Sequence, residues 1–102
     1  MIIQKGGCVY IITNQLHTVY YTGVTSDLPQ RISQHMSKFY PASFTAKYNC
    51  NKLVWYQSFA QIPEPIMREK QIKGGSRSKK TDLIYTVNPE WNDLWASYVR
   101  FW

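Results

Sequence analysis

Tyr10, Tyr21, Arg31 and His35 are the side chains in this sequence best suited to holding an anion and moving protons around it. A guanidinium offers a planar fork of donors to an oxyanion. An imidazole changes charge near neutrality, and a phenol both donates and accepts hydrogen bonds. Their spacing can bring them together. Tyr10 lies in the run Cys8-Val9-Tyr10-Ile11-Ile12 and Tyr21 in Val19-Tyr20-Tyr21-Thr22-Gly23, both strand-like. A hairpin centred between Gln15 and Leu16 sets Tyr10 directly opposite Tyr21, with both phenols on one face of the sheet. Arg31 and His35 stand four residues apart, as neighbours on one side of a helix do.

The elements that must position these groups follow from local patterns. Thr13-Asn14-Gln15-Leu16-His17-Thr18 is a polar turn, with His17 read as a surface residue, and Gly23 ends the second strand. Ser26-Asp27-Leu28-Pro29-Gln30 is a helix start, in which Asp27 is the N-cap, Pro29 falls in the first turn and Gln30 completes a capping box. Leu28, Ile32 and Met36 form that helix's apolar stripe, with Arg31 and His35 at its polar edge. Residues 40–51 read as a loop and 52–59 as a third strand. Pro63 and Pro65 introduce a helix with its body over 66–73, stopped by Gly74-Gly75. A further helix spans about 78–87 and is broken at Asn88-Pro89. Trp91, Leu94, Trp95, Tyr98, Val99 and Trp102 recur at intervals of three and four, which predicts an aromatic amphipathic helix over about 90–102. That helix covers the sheet or meets a protein partner or second copy.

A chain of 102 residues makes one small domain, taken here as 1–102. Its apolar and aromatic content excludes a disordered polymer. With no apolar run near the ~18 residues of a membrane span and no basic-then-apolar leader, a soluble cytoplasmic protein without membrane contact is expected. Cys8 and Cys50 lack metal-type spacing, and Cys8 reads as a small buried hydrophobe. The net charge is +6, and Arg68, Lys70, Lys73, Arg77, Lys79 and Lys80 crowd into one stretch around a single acid, Glu69. Such a stretch attracts a phosphate backbone or forms a solvated helix face.

The ordered set of motifs resembles the GIY-YIG nuclease superfamily, in particular its small single-domain YhbQ-like bacterial members. Cys8-Val9-Tyr10 stands at the first family triplet and Tyr21-Thr22-Gly23 at the second. Gly23 to Arg31, followed by His35, matches closely, as do Phe44-Thr45-Ala46-Lys47-Tyr48-Asn49, Arg68-Glu69-Lys70-Gln71-Ile72-Lys73 and Val87-Asn88-Pro89-Glu90-Trp91. Three departures stand out: Cys8 in place of a glycine, Thr22 in place of an isoleucine, and Gly74-Gly75 where small relatives often carry lysine-tryptophan.

The resemblance implies an α+β fold, a three-stranded antiparallel sheet flanked by helices. It implies an endonuclease that hydrolyses phosphodiester bonds with one divalent ion, Mg²⁺ or Mn²⁺, on DNA ahead of RNA, in repair or recombination. Glu69 matches the metal-binding glutamate, and a hard cation that keeps several waters needs few protein carboxylates. The plain alternative for Glu69 is an ion pair with Lys73. Tyr10 matches the tyrosine that activates water and Tyr21 one that orients water or touches phosphate; two half-buried strand tyrosines are the alternative. Arg31 would stabilise phosphoryl charge, and His35 would assist proton transfer or stand solvated. Arg68, Lys70, Lys73, Arg77, Lys79, Lys80 and Asn88 are the candidate nucleic-acid contacts, Asn88 alternatively a turn former. A nucleic-acid-binding module of the same fold with little or no turnover is the competing function.

Overall fold

The computed structural model describes residues 6–102. Strand β1 (Gly7–Thr13) is the centre of a three-stranded antiparallel sheet, flanked by β2 (Tyr20–Thr25) and β3 (Lys52–Phe59) in the order β2-β1-β3. A central strand covered on both faces can be apolar at every position, and all seven residues of β1 are buried. Its alternation sorts two cores. Tyr10 and Ile12 face Leu28, Ile32, Leu53 and Val99, while Val9 and Ile11 face Val54, Trp55, Ile72 and Ile84. Each fully buried aliphatic side chain contributes ~1.5–3 kcal/mol, so this double packing holds β1 firmly in place.

The hairpin register differs from the expected one. Tyr10 pairs with Gly23, and Tyr21 pairs with Ile12, so the hairpin is centred between Leu16 and His17. The turn explains the difference. Asn14 Oδ1 accepts from the backbone N–H groups of Thr18 and Val19 at 2.9 and 3.1 Å, folding the loop back on itself before β2 starts. The shift is two residues, which leaves side-chain parity unchanged. Tyr10 and Tyr21 therefore still share a face, as diagonal neighbours with ring centroids 6.4 Å apart.

Helix α1 (Leu28–Ser37) begins as expected, with the Asp27 carboxylate accepting from Gln30 N–H at 3.2 Å. Gln30 does not complete a capping box; the Asp27 N–H donates to Thr25 Oγ1 instead, at 3.0 Å. The stretch read as a loop holds a one-turn helix, α2 (Phe44–Lys47), capped by Ser43. Helices α3 (Glu64–Lys73) and α4 (Arg77–Val87) follow, each starting slightly earlier than expected. The C-terminal segment is not one continuous helix. It consists of the single turn α5 (Leu94–Ser97) and a 3-10 turn, Val99–Phe101, separated at Tyr98 (φ −137°, ψ −57°). Trp91 itself sits at φ +56°, so it belongs to a turn and not to a helix. Among the described residues no helix is long and apolar enough to cross a membrane.

Candidate active site

Tyr10 reaches its position because Gly23 lies opposite it. A Cβ at residue 23 would stand 2.4 Å from the Tyr10 hydroxyl oxygen and 2.5 Å from the ring carbon that bears it. None of the described glycines has a positive φ, so this glycine serves close approach and not an unusual torsion. The phenol passes over Gly23 toward α1 and bonds His35 Nε2 at 2.8 Å.

His35 is held from the other side by α2. Its Nδ1 lies 3.0 Å from Thr45 Oγ1, which lies 3.2 Å from Ser43 Oγ. Ser43 also caps α2 by accepting from Ala46 N–H. Tyr10, His35, Thr45 and Ser43 thus form one hydrogen-bonded chain. Burial, reinforced by the Arg31 guanidinium, pushes the His35 imidazole down to about 4. A neutral ring accepts at one nitrogen and donates at the other, so the chain can pass a proton along its length. Burial pushes the Tyr10 phenol well up from its ordinary value, with Tyr21 adding to the shift and Arg31 opposing it. Tyr10 has no exposed surface, so as a solitary base it is poor.

The other expected catalytic groups surround this pair. Tyr21 and His35 rings lie 5.8 Å apart, and Tyr21, Arg31 and His35 line one cleft of about 190 Å³. On the far side of Tyr21, Lys73 Nζ stands 5.9 Å from the ring centroid and 2.8 Å from Glu69 Oε2. The hydrogen bond to Glu69 raises Lys73 above its ordinary value. The Glu69 side chain is 15% exposed, and its charge is felt at the Tyr10 hydroxyl. Tyr10, Tyr21, Arg31 and His35 therefore gather on the α1 side of the β1–β2 hairpin, and Glu69 of α3 approaches them past Tyr21.

The donor set limits which metal could sit there. No cluster of three His, Cys, Asp or Glu side chains exists among the described residues, which does not suit a zinc-type centre. A single carboxylate beside phenol oxygens, already attracting one cation in Lys73, suits a hard ion that retains water and takes further oxygens from substrate.

The expected nucleic-acid contacts divide by orientation. Lys73 belongs to the site just described. Lys70 and Lys79 line a separate groove of about 420 Å³ between α3 and α4, together with Arg68 and Lys80. Lys80 Nζ is bonded to Gly75 O at 2.9 Å. Arg68 bonds Gln57 and Gln71 at 3.1 and 2.6 Å and lies over Trp55. Arg77 bonds His17 O at 2.9 Å with its guanidinium 3.9 Å from the Tyr20 ring centroid. Asn88 corrects its expectation. It is buried, and its amide donates to Val54 O at 3.0 Å and Asn92 O at 2.9 Å while Oδ1 accepts from Asn92 N–H. It ties the end of α4 to β3 and has no surface to offer a nucleic acid. His17, expected at the surface, is half-buried, stacked 4.5 Å from Trp91 and bonded to Lys52.

Thr45, Ser43 and Phe44 were not among the expected site residues. A capping serine two residues before a buried threonine was the signal available at the start of α2.

Residues 6–82 match the model of the GIY-YIG catalytic domain. A UPF0213 protein from Syntrophus aciditrophicus (strain SB) is 37% identical over 82 residues, 80% of this chain and 92% of that protein. The solution NMR structure of a UPF0213 protein from Bacillus halodurans superposes with a TM-score of 0.56 at 28% identity, covering 86% of this chain and 92% of that one. With the motif residues assembled on a matching fold, the chain belongs to the GIY-YIG family, alongside the small UPF0213 proteins.

Proposed function

We propose that this protein is an endonuclease that hydrolyses phosphodiester bonds in nucleic acid, DNA ahead of RNA, using one Mg²⁺ or Mn²⁺ ion. The observation that carries this reading is the Tyr10–His35 hydrogen bond at 2.8 Å, placed beside Arg31 and Tyr21 with Glu69 nearby. Glu69 would hold the ion, which when bound supplies charge for the phosphate oxygens and acidity for a coordinated water. Lys73 Nζ, 2.8 Å from Glu69 Oε2, holds the carboxylate in place before the ion arrives.

Arg31, in the lining of the cleft, would meet the developing charge on the phosphoryl group with its planar fork of donors. Tyr21, half-buried at the edge of the cleft, is placed to hold water or a phosphate oxygen. Proton transfer follows the hydrogen-bonded chain. Tyr10 is sealed in the unliganded chain, so substrate and ion would have to bring the attacking water to its oxygen. As that oxygen takes the water's proton, its own proton passes to the neutral His35 and no free phenolate forms. Thr45 and Ser43 fix the ring for that transfer.

The Lys73–Glu69 pair also favours a second reading, a nucleic-acid-binding module whose carboxylate is neutralised internally. Cleavage of supercoiled, single-stranded and branched DNA and of RNA, under Mg²⁺ and Mn²⁺, separates the two. Wild type, Glu69→Ala and Tyr10→Phe are compared after identical purification. Metal-dependent cutting that drops at least ~10²-fold in both variants is expected. Salt-sensitive binding without any cutting by wild type would leave the binding module as the function.

A further inference from the structure

The cleft beside the reacting groups is more than an access route. Two of its walls are aromatic, Tyr40 and Phe44, and both rings are largely exposed, at 57% and 49%. Each is propped from outside the cleft. Phe39 meets Tyr40 edge-on at 4.9 Å, and Tyr48 packs against Phe44 at 4.7 Å. Four large aromatics left exposed around one cleft are unfavourable for solubility, and such clusters mark interaction surfaces. The polar part of the lining is equally selective. It holds two cations, Arg31 and Lys38, with the amide and hydroxyls of Gln34, Ser43 and Thr45, and no carboxylate among the described residues.

Aromatic faces that stack a ring, cations for the adjoining phosphates and neutral polar groups for a base edge describe one ligand class. Resting on the nuclease reading above, we infer that this cleft receives one unpaired nucleobase of the strand being cut, stacked against Tyr40 and Phe44. Arg31 and Lys38 hold its flanking phosphates. A volume of about 190 Å³ suits a single base and not a base pair. Arg31, Tyr21 and His35 border both the cleft and the reacting groups, so the captured nucleotide adjoins the scissile phosphate. The substrate must then offer an unstacked nucleotide, as a single strand, flap or branch does, and an intact duplex must first extrude one.

The test is binding of the full chain, without divalent metal and with chelator present, to a fluorescent oligothymidine decamer and to a decamer of abasic residues. The two carry the same phosphates, so their affinity ratio reports the bases. Wild type should bind the thymidine decamer roughly tenfold more tightly. Tyr40→Ala and Phe44→Ala should each remove most of that ratio, Phe44→Tyr should keep it, and Phe101→Ala, far along the chain, should leave it unchanged. Thermal melts of each variant show that the fold is kept. Equal binding of the two decamers by wild type, or a ratio that survives in both alanine variants, overturns the base pocket alone. Failure of wild type to bind either decamer, with metal-dependent cutting of DNA retained, overturns the base pocket and leaves the nuclease reading; loss of both binding and cutting removes the two together.

Discussion

Gly23→Ala is the sharpest probe of how the site is built, because its effect can be worked from a single contact. The new methyl would fall 2.4 Å from the Tyr10 hydroxyl oxygen and 2.5 Å from its ring carbon, where ordinary contact begins near 3.4 Å. The tip of the ring must therefore retreat by about 1 Å. It has no empty space to enter, since Tyr10 is fully buried in the cluster of Leu28, Ile32 and Val99. Overpacking of this kind costs ~1–3 kcal/mol. Moving the hydroxyl also breaks the bond to His35, worth ~1 kcal/mol. Lower unfolded-state entropy returns ~0.4–1 kcal/mol, because residue 23 already has a torsion alanine can adopt. The expected net loss is about 2 kcal/mol, or a melting temperature lower by roughly 10 °C for a domain this size. Urea titrations followed by tryptophan fluorescence would measure it, with Tyr10→Phe completing a double-mutant cycle. The phenylalanine loses the oxygen but keeps the ring, so the double variant should remain strained. It should nonetheless be less destabilised than the two single losses added together, by ~0.5–1 kcal/mol, because both break the same hydrogen bond. A Gly23→Ala protein within ~0.5 kcal/mol of wild type would refute the slot as the reason for this glycine.

Three further outcomes are expected. His35 is held at about 4 in the folded chain against an ordinary value near 6.5, so the unfolded chain takes up the proton first. Its contribution is complete above about pH 6.5 and is lost as pH falls toward 4, on the order of 2 kcal/mol after allowance for the ring's partial exposure; His35→Gln should flatten that part of a stability–pH curve. Asn88→Ala should destabilise by ~2–3 kcal/mol, since the buried Val54 carbonyl loses a donor, yet leave the salt dependence of DNA binding unchanged. Lys70→Ala and Lys79→Ala should each lower the slope of log affinity against log salt by ~0.9 if they meet phosphates. Arg68→Ala, whose donors are already engaged with Gln57 and Gln71, should change that slope less, and fluorescence anisotropy across a salt series would compare the three.

The elements that hold the site were legible in the sequence where local chemistry decides them. The apolar run 8–12, the Asp27 cap and the i,i+4 pair of Arg31 and His35 all depend on neighbours in sequence. The hairpin register was not legible, because it turns on which backbone groups Asn14 captures. The cost of that error was small: an even shift preserves the sheet face, so both tyrosines were still assigned to the correct side. The C-terminal segment misled for a different reason. Its three-and-four spacing is real, but Trp91 is drawn into a left-handed turn where it stacks on His17. That contact joins residues 74 positions apart in the chain, and no local periodicity encodes it. The basic stretch is divided by the same kind of long-range packing. Its cations are close in sequence but lie on two helices separated by Gly74-Gly75, and they point toward β3, the hairpin turn and open groove respectively.

The two tyrosines show how sheet order assigns chemistry that the motif alone leaves undivided. Both lie on one face, yet Tyr10 is sealed and Tyr21 is half-open. The difference follows from β1 being central and β2 being an edge. With the observed order, Tyr10 has no bulk water to release its proton to, and α1 supplies the acceptor in His35. Keeping His35 neutral then becomes a structural requirement, met by burial and by the adjacent Arg31. The same arginine faces the cleft. One cation thus suppresses protonation of the relay histidine while remaining available to a phosphate. Phosphate bound at Arg31 would weaken that suppression and raise the basicity of His35 when substrate is in place.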